Sequence, residues 1–258
     1  MPIDINCDMG ESFGRYALGH DEALLPLITS ANIACGLHAG DPVVMEQTVR
    51  LAREARVAIG AHPGLPDLQG FGRRPLELSP EEAEAFVLYQ VGALAAFTQA
   101  QGVELTHVKP HGALYNQAAQ DRGLAQAIAR AVARFSRRLI LVGLAGSALV
   151  EAGVDEGLPV ANEGFPERGY TPAGTLLPRR QPGAIIASPR QAAAQALRLA
   201  QEGVAISSSH GTELIPVDTL CVHGDNPNAV EILRAIRAEL SAHGLPVAPL
   251  GVGHRPGA

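Results

Sequence analysis

The chain has 258 residues, 47% apolar and 18% charged, with a formal net charge of −6. That composition supports a core of ordinary size and excludes a disordered or fibrous polypeptide. It also lacks the clustered Lys and Arg that neutralise nucleic-acid phosphates, so no nucleic-acid partner is expected; Arg137-Arg138 and Arg179-Arg180 are isolated pairs.

No apolar run approaches the roughly 20 residues that span a bilayer. The N-terminal MPIDINCDMGES has neither a basic region nor an apolar signal core. A cytoplasmic protein without membrane contact is therefore expected. Cys7, Cys35 and Cys221 make an odd set with no CxxC pair, which argues for buried thiols rather than disulfides or structural zinc. Of the 20 basic residues only Lys109 is a lysine, which suggests a position that needs a compact ammonium rather than a planar guanidinium.

Short β-branched runs alternate with helical patterns along the chain. Strands are expected at Ile3–Cys7, Ala31–Cys35, Val57–Ala61, Glu104–Val108, Leu139–Val142, Pro159–Ala161, Gly203–Ile206 and Thr219–Val222. Helices are expected at Glu22–Thr29, Val43–Glu54 after the Asp41-Pro42 cap, and Pro80–Gln101 after Ser79. Further helices are expected at Gly123–Phe135, Gly146–Ala152, Pro189–Gln201 and Pro227–His243. Such alternation predicts an α/β fold with a parallel sheet. Seven or eight mostly parallel strands in about 250 residues fit a single, slightly irregular (β/α) barrel over residues 1–258. The stretch Gly164–Pro182, with three prolines before its end, reads as a long loop over one barrel face.

Nearly every expected strand runs into a polar cluster. Asn6, Asp8 and Glu11 follow the first; His38 and Asp41 follow the second; His62 and Asp67 follow the third. Lys109, His111, Tyr115 and Asn116 follow the fourth, Glu163 the sixth, and His223 and Asp225 the last. In a parallel barrel all strand C-termini share one face, so these groups should converge on one pocket. Local roles remain open beside the functional ones: Asp8 and Glu11 also suit helix capping, Asp41 suits an N-cap before Pro42, and Asp67 suits a turn. Lys109 at the end of an apolar strand must meet a polar pocket or a carboxylate, because burying an unpaired charge costs several kcal/mol. There is no GxxxxGK[ST], GxGxxG, HExxH or GxSxG signature, so a nucleotide site would be non-standard, and spacing does not separate acid–base chemistry from metal binding.

The motifs IDINCDMGESFG, NIACGLHAGDP, GAHPGLPDLQGFGRR, HVKPHGALYN, EGFPERGY and CVHGDNP, in that order, closely resemble the LamB/YcsF lactam-utilisation family from Ile3 to about Leu250. EGFPERGY has Pro166-Glu167 where the family more often has Ala-Asp, leaving Arg168 and Tyr170 in place. The resemblance implies an irregular (β/α) barrel related to glycoside hydrolases and polysaccharide deacetylases. It implies ATP-dependent hydrolysis of 5-oxoproline to L-glutamate, with ATP and Mg2+ as cofactors and 5-oxoprolinase subunits B and C as partners. It leaves open a resident metal and the homo-oligomeric state.

On this chemistry the expected catalytic set is Asp8, His38, His62, Lys109, His111 and Asp225, with Lys109 and the histidines supplying charge and hydrogen bonds and Asp8 or Asp225 acting as base or magnesium ligand. Asn6, Glu11, Asp41, Tyr115, Asn116, Glu163, Arg168 and His223 are expected to bind substrate. Two alternatives stand beside it: a metal-dependent amidohydrolase or deacetylase with an ion on Asp8, His38 and His62, and a non-catalytic 5-oxoproline-binding subunit.

Overall fold

The structure, a computed structural model, describes residues 2–208 and 211–251. Seven parallel strands close into a barrel: β1 (Asp4–Met9), β2 (Ser30–Ala34), β3 (Ala58–His62), β4 (Leu105–Val108), β5 (Ile140–Leu144), β6 (Val160–Gly164) and β9 (Thr219–Val222), with β9 pairing both β6 and β1. Helices α2 (Pro42–Ala55), α3 (Pro80–Ala100), α5 (Arg122–Phe135), α6 (Ala148–Asp155), α7 (Pro189–Glu202) and α8 (Ala229–Ala242) surround it, with α3 against α5 and α7 against α8. Among the described residues no helix is long and apolar enough to cross a membrane.

Cap chemistry sets the helix starts. Asp41 accepts from the backbone N–H of Val43 (2.8 Å) and Val44 (3.0 Å), with Pro42 in the first turn. Ser79 and Glu82 form a reciprocal capping box on α3. Asp121 caps α5 through Gly123 and Leu124.

Strand periodicity divides the core. Ile5, Cys7 and Met9 of β1 and Ile33 of β2 pack with helix residues such as Val49, Val91 and Leu94 outside the barrel. The alternate residues of the same strands, Asp4, Asn6, Asp8 and Asn32, bond to side chains from β4, β6 and β9. Contacts between strands that are not neighbours can only pass through the interior, so this barrel has a polar inner face on one side. A smaller apolar cluster of Ile140, Val142, Ala161 and Leu250 fills part of the remainder.

The structure corrects two expectations. The run expected as a strand at Gly203–Ile206 does not enter the barrel: β7 (Val204–Ser208) pairs antiparallel with β8 (Gly211–Ile215) in a separate hairpin. Gly203 makes the turn possible; its φ is +84°, and a Cβ there would lie 2.1 Å from the Ile215 carbonyl oxygen. The helix expected at Glu22–Thr29 shrinks to α1 (Asp21–Leu24) and one 3-10 turn, Leu25–Leu27. Pro26 interrupts it, and the Thr29 hydroxyl is drawn to Asp4 (2.7 Å) and the Ile5 N–H (2.8 Å). Gly112–Ala118, for which no element is expected from the sequence, forms a short helix, α4, at the mouth.

Candidate active site at the barrel mouth

The strands β1, β3 and β4 deliver Asp8, His62 and Lys109 to the same end of the barrel. Lys109 is 3% exposed, and its Nζ contacts Asp8 Oδ1 (3.0 Å), Glu163 Oε1 (2.9 Å), Asn6 Oδ1 (3.1 Å) and Cys221 Sγ (3.0 Å). A compact ammonium meets this convergent set as a planar fork would not, in line with the solitary lysine of the sequence. Burial by itself would lower Lys109, yet Asp8, Cys221 and Glu163 hold it well above its ordinary value, so it is charged. Burial would likewise raise Asp8, but His62 and Lys109 bring its carboxyl well below the usual range.

Beneath this cluster lies a supporting layer. Asn32 donates to Asn6 Oδ1 (2.7 Å) and Asp8 Oδ1 (2.9 Å), and His107 Nε2 meets Asn32 Oδ1 at 2.8 Å. Asn6 also donates to Glu163 (2.9 Å) and Thr219 (2.7 Å). Burial lowers His107 to about 3, so its ring is neutral. Gly60 leaves the space for that ring: a Cβ there would lie 2.1 Å from His107 Nε2.

Beside Asp8 the loops after β1, β2 and β4 bring Glu11, His38 and His111 against His62. His111 Nδ1 lies 3.0 Å from His62 Nε2, and the His38 ring stacks on His111 with centroids 3.8 Å apart. Glu11 Oε1 is 3.9 Å from both His38 Nε2 and His111 Nδ1. Burial lowers His38 and His111 well below the ordinary histidine value, and burial with the nearby Asp8 raises Glu11. Two sets of donor atoms thus converge closely enough to hold a cation: Glu11, His38, His62 and His111, and Asp8, Cys221 and His223.

Above these groups opens a pocket of about 480 Å³ whose lining includes Asp8, His62, Lys109 and His111 together with Arg73, Arg168, Arg179 and Arg180. Tyr115, Asn116 and His223 also line it; Tyr115 is buried, and Asn116 donates to the Gly112 carbonyl (3.0 Å). Arg168 is anchored through the Ala184 and Leu177 carbonyls. Burial lowers Arg168 to about 10 and also lowers Arg179, which Arg73 repels further. Clustered guanidinium groups facing one cavity favour an anion.

Most residues expected from strand ends therefore meet at one place, with three exceptions: Asp67 is outside the pocket lining, held by Arg74 and the Gly70 N–H, and Asp41 and Asp225 are the others. Asp41 does not line the pocket: its carboxylate caps α2 and accepts from the Gly14 N–H (2.7 Å). Asp225 lies at the rim, paired with Arg73 at 2.6 Å, rather than beside Lys109. Strand-end reasoning missed Asn32, His107, Cys221 and Glu167. The first three sit at inward alternate positions, a period-2 signal present in the strands themselves. Glu167 lies in the long loop, where it binds the His223 ring and the Asn226 side chain and carries no such signal.

The fold and site define a closed (β/α) barrel with buried ionisable groups gathered at its strand C-termini. More particularly, the chain belongs to the LamB/YcsF family, whose sequence model matches residues 3–254. It is 58% identical over 249 residues to the 5-oxoprolinase A subunit of Symbiobacterium thermophilum, covering 96% of this chain and 95% of that protein. It is 52% identical to the 5-oxoprolinase A subunit of Pyrococcus furiosus, covering 97% and 98%. The crystal structure of a lactam utilization protein from Thermus thermophilus superposes with a TM-score of 0.89 at 50% identity, covering 97% of this chain and 100% of that one. The catalytic domain of a peptidoglycan N-acetylglucosamine deacetylase from Eubacterium rectale shares the fold, with a TM-score of 0.52 at 13% identity, covering 99% and 93%.

Proposed function

We propose that this chain is the A subunit of a cytoplasmic, multi-subunit 5-oxoprolinase that hydrolyses 5-oxoproline to L-glutamate at the expense of ATP, with Mg2+ on the nucleotide and subunits B and C as partners. The observation that carries the reading is the pocket itself: a buried ammonium, imidazoles and several arginines line one cavity, which suits a small anionic lactam. The names of the full-length relatives support the substrate class.

A five-membered lactam is unstrained and a poor electrophile, so its hydrolysis gains from activation. Transfer of the γ-phosphoryl group to the lactam oxygen gives an imidate phosphate. One water adds to its carbon, the ring C–N bond breaks, the amine takes a proton, and a second water releases phosphate, leaving ADP, phosphate and glutamate. Lys109 and the arginines stabilise the negative charge that develops on the transferring oxygens. Asp8 lines the pocket with its carboxyl held ionised well below neutral pH. That carboxylate orients Lys109.

The test is a glutamate-release assay with 5-oxoproline and ATP, run on the chain alone and with both partners added. Glutamate formed only in the full mixture, and abolished by Lys109→Met, supports the proposal. ATP-independent lactam hydrolysis by the chain alone, or full turnover by the Lys109→Met mixture, refutes it.

A further inference from the structure

Glu11, His38, His62 and His111 hold more lone pairs than the surrounding protein satisfies. His111 Nε2 lies 2.8 Å from the Phe71 carbonyl and His62 Nδ1 lies 2.7 Å from the Lys109 carbonyl. A carbonyl only accepts, so each of these nitrogens carries the hydrogen. His111 Nδ1, in the neutral ring, then presents a lone pair 3.0 Å from His62 Nε2, which also stands 3.4 Å from Asp8 Oδ2. Next to them, both ring nitrogens of the fully buried His38 and the Oε1 of Glu11 have no hydrogen-bond partner. Unpaired buried polar atoms are costly, and four side chains concentrating them at one point need a common partner.

A cation supplies that partner. The donor atoms of the four residues all lie within 4.8 Å of one another, with individual separations of 3.0 and 3.9 Å. Tetrahedral ligands at zinc–nitrogen distances stand about 3.4 Å apart, which falls between these values. The His38 ring, which makes no hydrogen bond, is held by close backbone packing. A Cβ on Gly64 would lie 2.3 Å from His38 Nδ1, and one on Gly72 would lie 2.7 Å from His38 Cβ and 2.9 Å from His111 Cδ2. The second donor set is already committed: Lys109 occupies Asp8 and Cys221, and Glu167 holds His223.

We propose that Glu11, His38, His62 and His111 bind one first-row transition-metal dication of the zinc type at the floor of the pocket. Three imidazoles and one carboxylate match that class and not Mg2+ or Ca2+, which take oxygen ligands. His62 and His111 also line the pocket, so the ion reaches the ligand space, where it polarises a carbonyl or a water. The inference rests on donor geometry and is independent of the lactam and of ATP.

The test uses the full chain after chelator treatment, titrated with Zn2+ by calorimetry and with Co2+ by visible absorption. One equivalent of each should bind, and Co2+ should give the ligand-field bands of a low-coordinate nitrogen-rich site. His38→Gln and the near-isosteric Glu11→Gln should weaken binding more than about 100-fold, beyond the 10–100-fold typical of changes outside the ligand set. Circular dichroism shows that each variant is folded, and if His38→Gln is not, Glu11→Gln carries the comparison. Cys221→Ser, which removes a donor of the other set, and His243→Gln, which removes an exposed histidine, should bind as the parent does. Absence of stoichiometric binding, parent-like binding by Glu11→Gln, or loss of binding in Cys221→Ser overturns the proposal; a proton shared between His62 and His111 then satisfies the cluster.

Discussion

Replacing Lys109 by Met keeps much of the side-chain volume and removes the charge. In the parent the ammonium stands 3.0 Å from Asp8 Oδ1 and 2.9 Å from Glu163 Oε1, both carboxylates being buried. At an effective dielectric of about 20 each contact is worth roughly 5–6 kcal/mol of gross attraction, largely offset by desolvation of the three ions. What the substitution exposes is the stranded charge: two buried carboxylates that have lost their cation, at a cost of about 3–5 kcal/mol. At about 2–4 °C per kcal/mol the melting temperature should fall by roughly 10 °C.

The loss should also depend on pH in a direction that volume effects do not produce. Without the ammonium the cluster takes up a proton in the folded state, so a carboxyl there titrates above its unfolded value. Such a group leaves stability intact below the unfolded value and removes it as pH rises, by up to about 1.4 kcal/mol per unit. Urea denaturation at pH 5 and pH 8 should therefore show a smaller deficit at pH 5. A variant within about 0.5 kcal/mol of the parent at pH 8, or a deficit equal at both values, would show that Lys109 does not neutralise this cluster.

Gly60→Ala should drive a Cβ into the His107 ring, whose bond to Asn32 supports Asp8, and lower stability by about 1–3 kcal/mol in thermal melts, with turnover of the assembled enzyme falling further. Ser79→Ala removes the capping box of α3 far from the pocket; it should cost about 1 kcal/mol in chemical denaturation and leave turnover unchanged. Asp67 is held down to about 2 from an ordinary 3.8 by its hydrogen bonds from Arg74, with the Gly70 N–H assisting. A depressed carboxyl stabilises above its unfolded value, so the advantage of the parent over Asp67→Asn should be full near neutral pH and vanish as pH falls from about 4 to 2.

The amino-acid sequence by itself determined the alternation of strands and helices, the caps that start α2 and α3, and the placement of polar residues at strand ends. These are local properties: period-2 and period-3.6 patterning and cap chemistry act over a few residues. From them followed the parallel barrel and the shared face of Asp8, His62, Lys109 and His111. Only the tertiary structure decided which strand closes the ring, because Val204–Ser208 has strand character whether it pairs with β6 or with its own hairpin partner. Only closure brought Lys109 to Cys221, 112 positions away, and set His111 Nδ1 against His62 Nε2. It also separated Glu11, drawn into the histidine cluster, from Asp41, held on its helix cap, although both are acids just beyond a strand. The physical reason is that the spacing of side chains across a barrel depends on register and closure of the whole ring, which no local run of residues encodes.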